Sequence, residues 1–138
     1  MIDKIEATEL RIGNLVYFEQ SNDYKLIRPV GYSFFNNYMQ YLTPIPLTPE
    51  ILEKAGFYQL PHFTVGNSWL IDFGLSSQIS ISYLGEPNLM IWLSSVDKDK
   101  KPTDLVCIWN WDVNGEIYVH QLQNLYYSLT QTELKITL

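Results

Sequence analysis

PIPLTPEILEKAGF, residues 44 to 57, decides the fold. Thr48 supplies the side-chain oxygen an N-cap needs, and Pro49 suits the first helical position, where no amide hydrogen is required. Glu50 and Glu53 fall in the early turns, where the helix dipole favours negative charge, and Lys54 lies near the end. Gly56 is placed for a left-handed C-cap, with Phe57 available for the apolar contact that accompanies it. Ile51, Leu52 and Ala55 give the segment one buried side. These features predict a two-turn helix at about residues 49–55. It interrupts a chain that is otherwise largely β in character.

Upstream, residues 10–14, 15–20, 24–32 and 38–42 read as short strands separated by turn signals at Gly13-Asn14, Ser21-Asn22-Asp23 and Asn36-Asn37. Pro29 argues for an edge strand or a bulge. Downstream, Trp69, Ile71 and Phe73 alternate with Leu70 and Asp72, and Ile79, Ile81 and Tyr83 alternate with Ser80 and Ser82. Glu86-Pro87-Asn88 turns the chain into residues 89–96. DKDKKPTD, residues 97–104, reads as a solvated loop, and residues 105–113 as a strand ending at Asn114-Gly115, the strongest hairpin dipeptide. Val119, Leu122, Leu125, Tyr126 and Leu129 recur at helical spacing, so a C-terminal helix is expected at about 119–130. Ile136 and Leu138 would add a terminal edge. The sum is one α+β domain, 1–138: an antiparallel twisted sheet or open β-barrel carrying a short central helix and a C-terminal helix.

Composition narrows the function classes. Aromatics are 14% of the 138 residues and charged residues only 17%, the reverse of what a disordered tail needs. The net charge is −6, and the one cluster of cations, Lys98, Lys100 and Lys101, is interleaved with Asp97, Asp99 and Asp104. Binding to nucleic acid requires a basic stripe, so it is not expected. No run approaches the ~18 apolar residues that span a bilayer. The single cysteine, Cys107, forms no internal disulfide framework, and with His62 and His120 it makes no four-ligand zinc site. The expectation is a cytoplasmic protein with no metal and no cofactor.

No catalytic motif is present: no phosphate loop, no paired-histidine helix, no nucleophile elbow. Cys107, between Val106 and Ile108, reads as a buried structural thiol. His120 falls at a helix start, where the dipole disfavours its cation, and reads as a neutral, locally bonded histidine. His62 has no evident partner near in sequence. Asp72, alone in WLIDF, reads as a water-facing residue of an alternating strand, with a buried functional carboxylate as the alternative.

The aromatics are the better lead. Trp109 and Trp111 lie two apart and would share one face of a strand. Two accounts stay open for them: core packing, or a ligand pocket that Arg11 and Arg28 complete. Residues 29–49, 55–71 and 117–132 contain no charged side chain. Such stretches fit either buried strands or a surface that meets a partner, with Gln121, Asn124, Tyr127 and Ser128 as the partner-surface candidates on the last helix. A homo-oligomer, most simply a two-fold dimer, is the expectation.

Three segments, LRIGNLVYF (10–18), PIPLTPEILEKAGF (44–57) and IYVHQLQNLYYSLTQTEL (117–134), together resemble a family of small proteins from gut Bacteroidota genomes, their prophages and phages. The resemblance implies a phage or mobile-element setting and brings no catalytic residues with it. In that setting the first expectation is a non-catalytic accessory protein that binds a host or viral protein. The second is an anti-defence protein that sequesters a small nucleotide-like immune signal in an aromatic-lined pocket. An enzyme would need a titratable constellation that the sequence does not display.

Overall fold

The fold is α+β, as seen in a computed structural model that describes residues 5–19, 26–59, 67–83, 89–99 and 102–138. Two antiparallel sheets, neither closed into a barrel, and four α-helices make up the regular structure among these residues. The chain divides into two compact units. One draws on Met1–Leu47, Tyr118–Leu134 and Leu138, the other on Thr48–Ile117 and Lys135–Thr137.

The first unit holds strands β1 (Leu15–Phe18), β2 (Leu26–Pro29) and β3 (Leu42–Thr43) in the order β2-β1-β3. Val16 lies opposite Arg28 and Phe18 opposite Leu26. Pro29 therefore sits on an edge strand, where its missing N–H interrupts no interior ladder. Ile5, Leu10, Val16, Val30 and Leu42 form the core, with Phe18, Phe34, Phe35 and Met39 packed against it. Helix α1 (Tyr32–Asn37) follows β2. Helix α4 (Val119–Thr130) belongs to the same unit, and the Val119 amide donates to the Ile45 carbonyl at 2.9 Å.

The second unit begins with α2 (Pro49–Lys54). Its Thr48 cap accepts from the Ile51 amide at 3.3 Å, and Gly56, at φ +94°, takes the left-handed conformation expected of it. Strands β4 (Asn67–Phe73), β5 (Ser77–Tyr83), β6 (Leu89–Val96) and β7 (Pro102–Asn110) follow as a meander in sequence order. The register stacks Ile71, Ile79 and Leu93 on one face, next to Trp69, Ile81 and Ile91. Ile79, Ile81 and Ile91 are fully buried, each stabilising the sheet by about 1.5–3 kcal/mol through removal of apolar surface from water. The opposite face mixes apolar and polar residues and is also covered: Leu70, Gln78, Ser80 and Ser94 are buried.

Several expectations are corrected. Residues 32–41 form α1 and a 3-10 turn (Met39–Tyr41) rather than a strand and an Asn-Asn turn. Phe34 and Tyr38, four apart, meet at 5.9 Å on the helical repeat, and this packing outweighs the β preference of aromatic residues. Residues 10–14 make a turn after a 3-10 segment (Ala7–Glu9), not a strand. Strand β7 stops at Asn110, whose side chain caps helix α3 (Trp111–Asn114) by accepting from the Asp112 amide at 3.0 Å. Asn114-Gly115 thus ends a helix instead of turning a hairpin, with Gly115 at φ +82°. Pro102 to Asp104, expected in a loop, open β7, and Ile136 and Leu138 lie in no strand. The Ser21-Asn22-Asp23 and Glu86-Pro87-Asn88 turns and His62 lie outside the described residues.

Candidate functional site

A concavity of the first unit is built from β1, β2 and α1. Phe18 comes from the end of β1, Arg28 and Pro29 from the edge strand β2, Phe34 from α1, and Tyr38 from the residue that ends α1. Together they line a groove of about 370 Å³. Because antiparallel partners share a face, Phe18 and Arg28 lie on the same side of the sheet, one diagonal step apart. The rings are mutually packed: Phe18 to Phe34 at 5.6 Å, and Phe18 to Tyr38 at 5.7 Å in an edge-to-face arrangement. Tyr41 extends the cluster, 6.1 Å from Phe18. Arg28 is exposed, and its side chain makes no hydrogen bond or ion pair among the described residues. One guanidinium therefore borders an aromatic, uncharged wall.

Arg11 is in the opposite situation. Its Nε donates to Asn124 Oδ1 at 2.8 Å, its Nη2 donates to the Gln123 carbonyl at 3.2 Å, and its guanidinium pairs with the Glu133 carboxylate. The same group lies over the Tyr127 ring, 4.3 Å from its centroid. Asn124 also accepts from Asn14 Nδ2 at 2.9 Å and donates to the Glu9 carbonyl at 2.6 Å. Gln123, buried, accepts from the Leu15 amide at 2.8 Å. These bonds join segment 9–15 to α4 and leave Arg11 fully engaged inside the unit. Residues 10–15 and the last helix thus meet through Arg11, Asn14, Gln123 and Asn124.

Of the surface candidates on α4, Ser128 is exposed and donates to the Leu125 carbonyl, while Gln121, Asn124 and Tyr127 are half-buried. Gln121 Oε1 accepts from the Tyr118 amide at 2.9 Å. Trp109 and Trp111 are both half-buried but do not share a strand face, because Trp111 opens α3. Trp109 Nε1 donates to the Gly115 carbonyl at 3.0 Å and so braces that helix end. Cys107, expected to be buried, is exposed on the edge strand β7, together with Leu105 and Val106. The reason is its place in the sheet: an edge strand has a neighbour on one side only.

Among the described residues, the titratable candidates His120 and Asp72 fall in different units, the first and the second. His120 is buried in the first unit, stacked on Tyr118, with Nε2 3.8 Å from Glu9 Oε1. Burial holds its pKa below the usual 6.5, although the Glu9 carboxylate opposes this. Asp72 belongs to the second unit and is half-buried rather than water-facing. It accepts from the Tyr58 hydroxyl at 2.7 Å and from Gln78 Nε2 at 3.0 Å. Burial, then the bond to Asp72, raises the Tyr58 pKa above 10.0. Gln78 is fully buried, which makes this trio an internal tie across β4 and β5. No cluster of three potential metal ligands occurs among the described residues.

Arg28 was legible as a ligand candidate, whereas Phe18, Phe34 and Tyr38 were not. The signal for Phe34 and Tyr38 is the helical spacing of aromatics in YSFFNNYM, residues 32–39, which a strand reading conceals. No protein-family model matches the chain, and no curated protein and no solved structure matches it either.

Proposed function

We propose that this chain acts by binding rather than by catalysis, and that the groove of Phe18, Phe34 and Tyr38 receives the ring of a small ligand. One observation carries the reading: three packed aromatic rings border an open groove of about 370 Å³ instead of closing over it. Ligand pockets are of this kind, mostly apolar with one or two polar groups, and ~300–1,000 Å³ in volume. Set in the phage or mobile-element context that the resemblance implies, this is the sequestration of a nucleotide-like signal in an aromatic-lined pocket. The pocket is formed by other rings than Trp109 and Trp111.

A second reading, docking of a protein or a second copy of the chain, rests on β7. Leu105 and Val106, on this edge strand, are more than half exposed. An open apolar strand edge is a template for pairing with another chain.

Native mass spectrometry of protein purified gently from its own host background tests both. A nucleotide-sized adduct supports the groove reading. A ligand-free species that co-purifies with a protein, or forms a stable dimer, supports the second reading and overturns the first.

A further inference from the structure

We infer that the ligand of this groove is an anion, a planar ring bearing one compact acidic group that the Arg28 guanidinium receives. The inference rests on the groove reading above and adds the chemical class. The chain has two arginines, Arg11 and Arg28, and they are used in opposite ways. Arg11 is committed to a carboxylate, a carbonyl, an amide oxygen and a ring. Arg28 has no such partner, and no acidic side chain lines its groove, among the described residues.

In a chain of net charge −6, a guanidinium without a counter-charge is an unfilled half of an ion pair. Its surroundings favour filling it. Phe18, Phe34 and Pro29 set an apolar wall beside the guanidinium, and a charge-assisted bond to it is stronger than a neutral one. The planar fork of the guanidinium matches the two oxygens of a carboxylate or phosphate. The rings present faces and edges to a planar group, which they hold in offset or edge-to-face contact.

The groove also limits the charge. Arg28 is the one cation among the described lining residues, so it receives one acidic group and a triphosphate leaves most of its charge uncompensated. Phosphate and carboxylate share this chemistry, and the probes separate them.

The experiment is calorimetric titration of the full chain and of its Arg28→Gln and Arg28→Lys variants. The probes are adenosine 5′-monophosphate, adenosine, ATP and 4-hydroxybenzoate. At least one of the two singly acidic probes should bind the native chain about tenfold more tightly than adenosine, the discrimination a charge-assisted bond supplies. Arg28→Gln should erase that advantage without weakening adenosine, and Arg28→Lys should keep part of it. Because Arg28 is exposed on an edge strand, thermal midpoints of the variants should match the native chain, which separates lost binding from lost folding.

Adenosine binding as tightly as both singly acidic probes, tighter binding of ATP than of the monophosphate, or indifference to Arg28→Gln overturns the anion assignment and leaves the groove reading intact. Failure of all four probes overturns the groove reading itself, and the anion assignment with it.

Discussion

Arg11 and Asn124, 113 positions apart in the chain, are joined by a 2.8 Å hydrogen bond from Nε to Oδ1. Asn124 is the hub of this contact, because its oxygen serves Arg11 and Asn14 together and its amide serves the Glu9 carbonyl. Replacing Asn124 by Ala strands several partly buried groups at once. Asn124→Ala should therefore destabilise the protein by about 2–3 kcal/mol, at the upper end of what loss of a hydrogen-bond partner costs. Urea unfolding checks this; a loss under about 0.5 kcal/mol would show that water takes over the contacts.

His120 makes stability depend on pH. Its pKa is lowered in the fold, so below the ordinary value of 6.5 the unfolded chain binds a proton that the folded chain resists. Stability should be level above pH 6.5 and fall as the pH drops beneath it, with a limiting slope of about 1.4 kcal/mol per pH unit from this one group. Unfolding midpoints from pH 7.5 down to 5.5 measure the slope, and His120→Gln should flatten it. An unchanged slope in that variant would assign the pH dependence elsewhere.

Ile81 and Ile91 face each other across β5 and β6, both fully buried. Ile81→Ala leaves a cavity in the middle of the sheet and should cost about 2–5 kcal/mol. Leu105→Ala, on the exposed stretch of β7, should cost less than about 1 kcal/mol in the same unfolding assay. Equal losses would mean that β7 is covered in solution, which favours the strand-docking reading.

Thr48 caps α2 through its bond to the Ile51 amide. Thr48→Ala should destabilise by about 1 kcal/mol, and Thr48→Ser should be close to neutral, since Ser keeps the accepting oxygen. Thermal unfolding of the two variants side by side gives the comparison.

The parts of this fold that could be read from sequence are those whose local chemistry and tertiary packing agree. Thr48-Pro49 at the start of α2 and Gly56 at its end state the helix in local terms. The apolar repeat from Val119 to Leu129 does the same for α4, and strict alternation announces β4 and β5. The misread segments are those where the two levels conflict. The aromatics of YSFFNNYM favour strands and its Asn-Asn pair a turn, yet Phe34, Phe35 and Met39 reach the core of the first unit on a helical repeat. Asn114-Gly115 suits a hairpin, but the positive φ that Gly115 adopts serves a helix end equally well. Of the candidate site, Arg28 could be singled out as a scarce cation. That Arg11 is consumed internally while Arg28 is not depends on Glu133 and Asn124, over a hundred residues away from Arg11, and no local pattern records it.

The first unit is discontinuous in sequence, since about 70 residues of the second unit, Thr48–Ile117, separate its strands from α4. During synthesis, Val16 and Leu42 thus emerge from the ribosome well before the helix that completes their unit. The four-stranded meander pairs neighbours in sequence and can close as it appears, while the earlier strands wait. Loop-closure cost rises only slowly with length, so the delay is set chiefly by translation time. For that interval the nascent chain carries exposed apolar strands, a natural substrate for holding chaperones, and slow codons placed between the two halves of the first unit would lengthen that exposure.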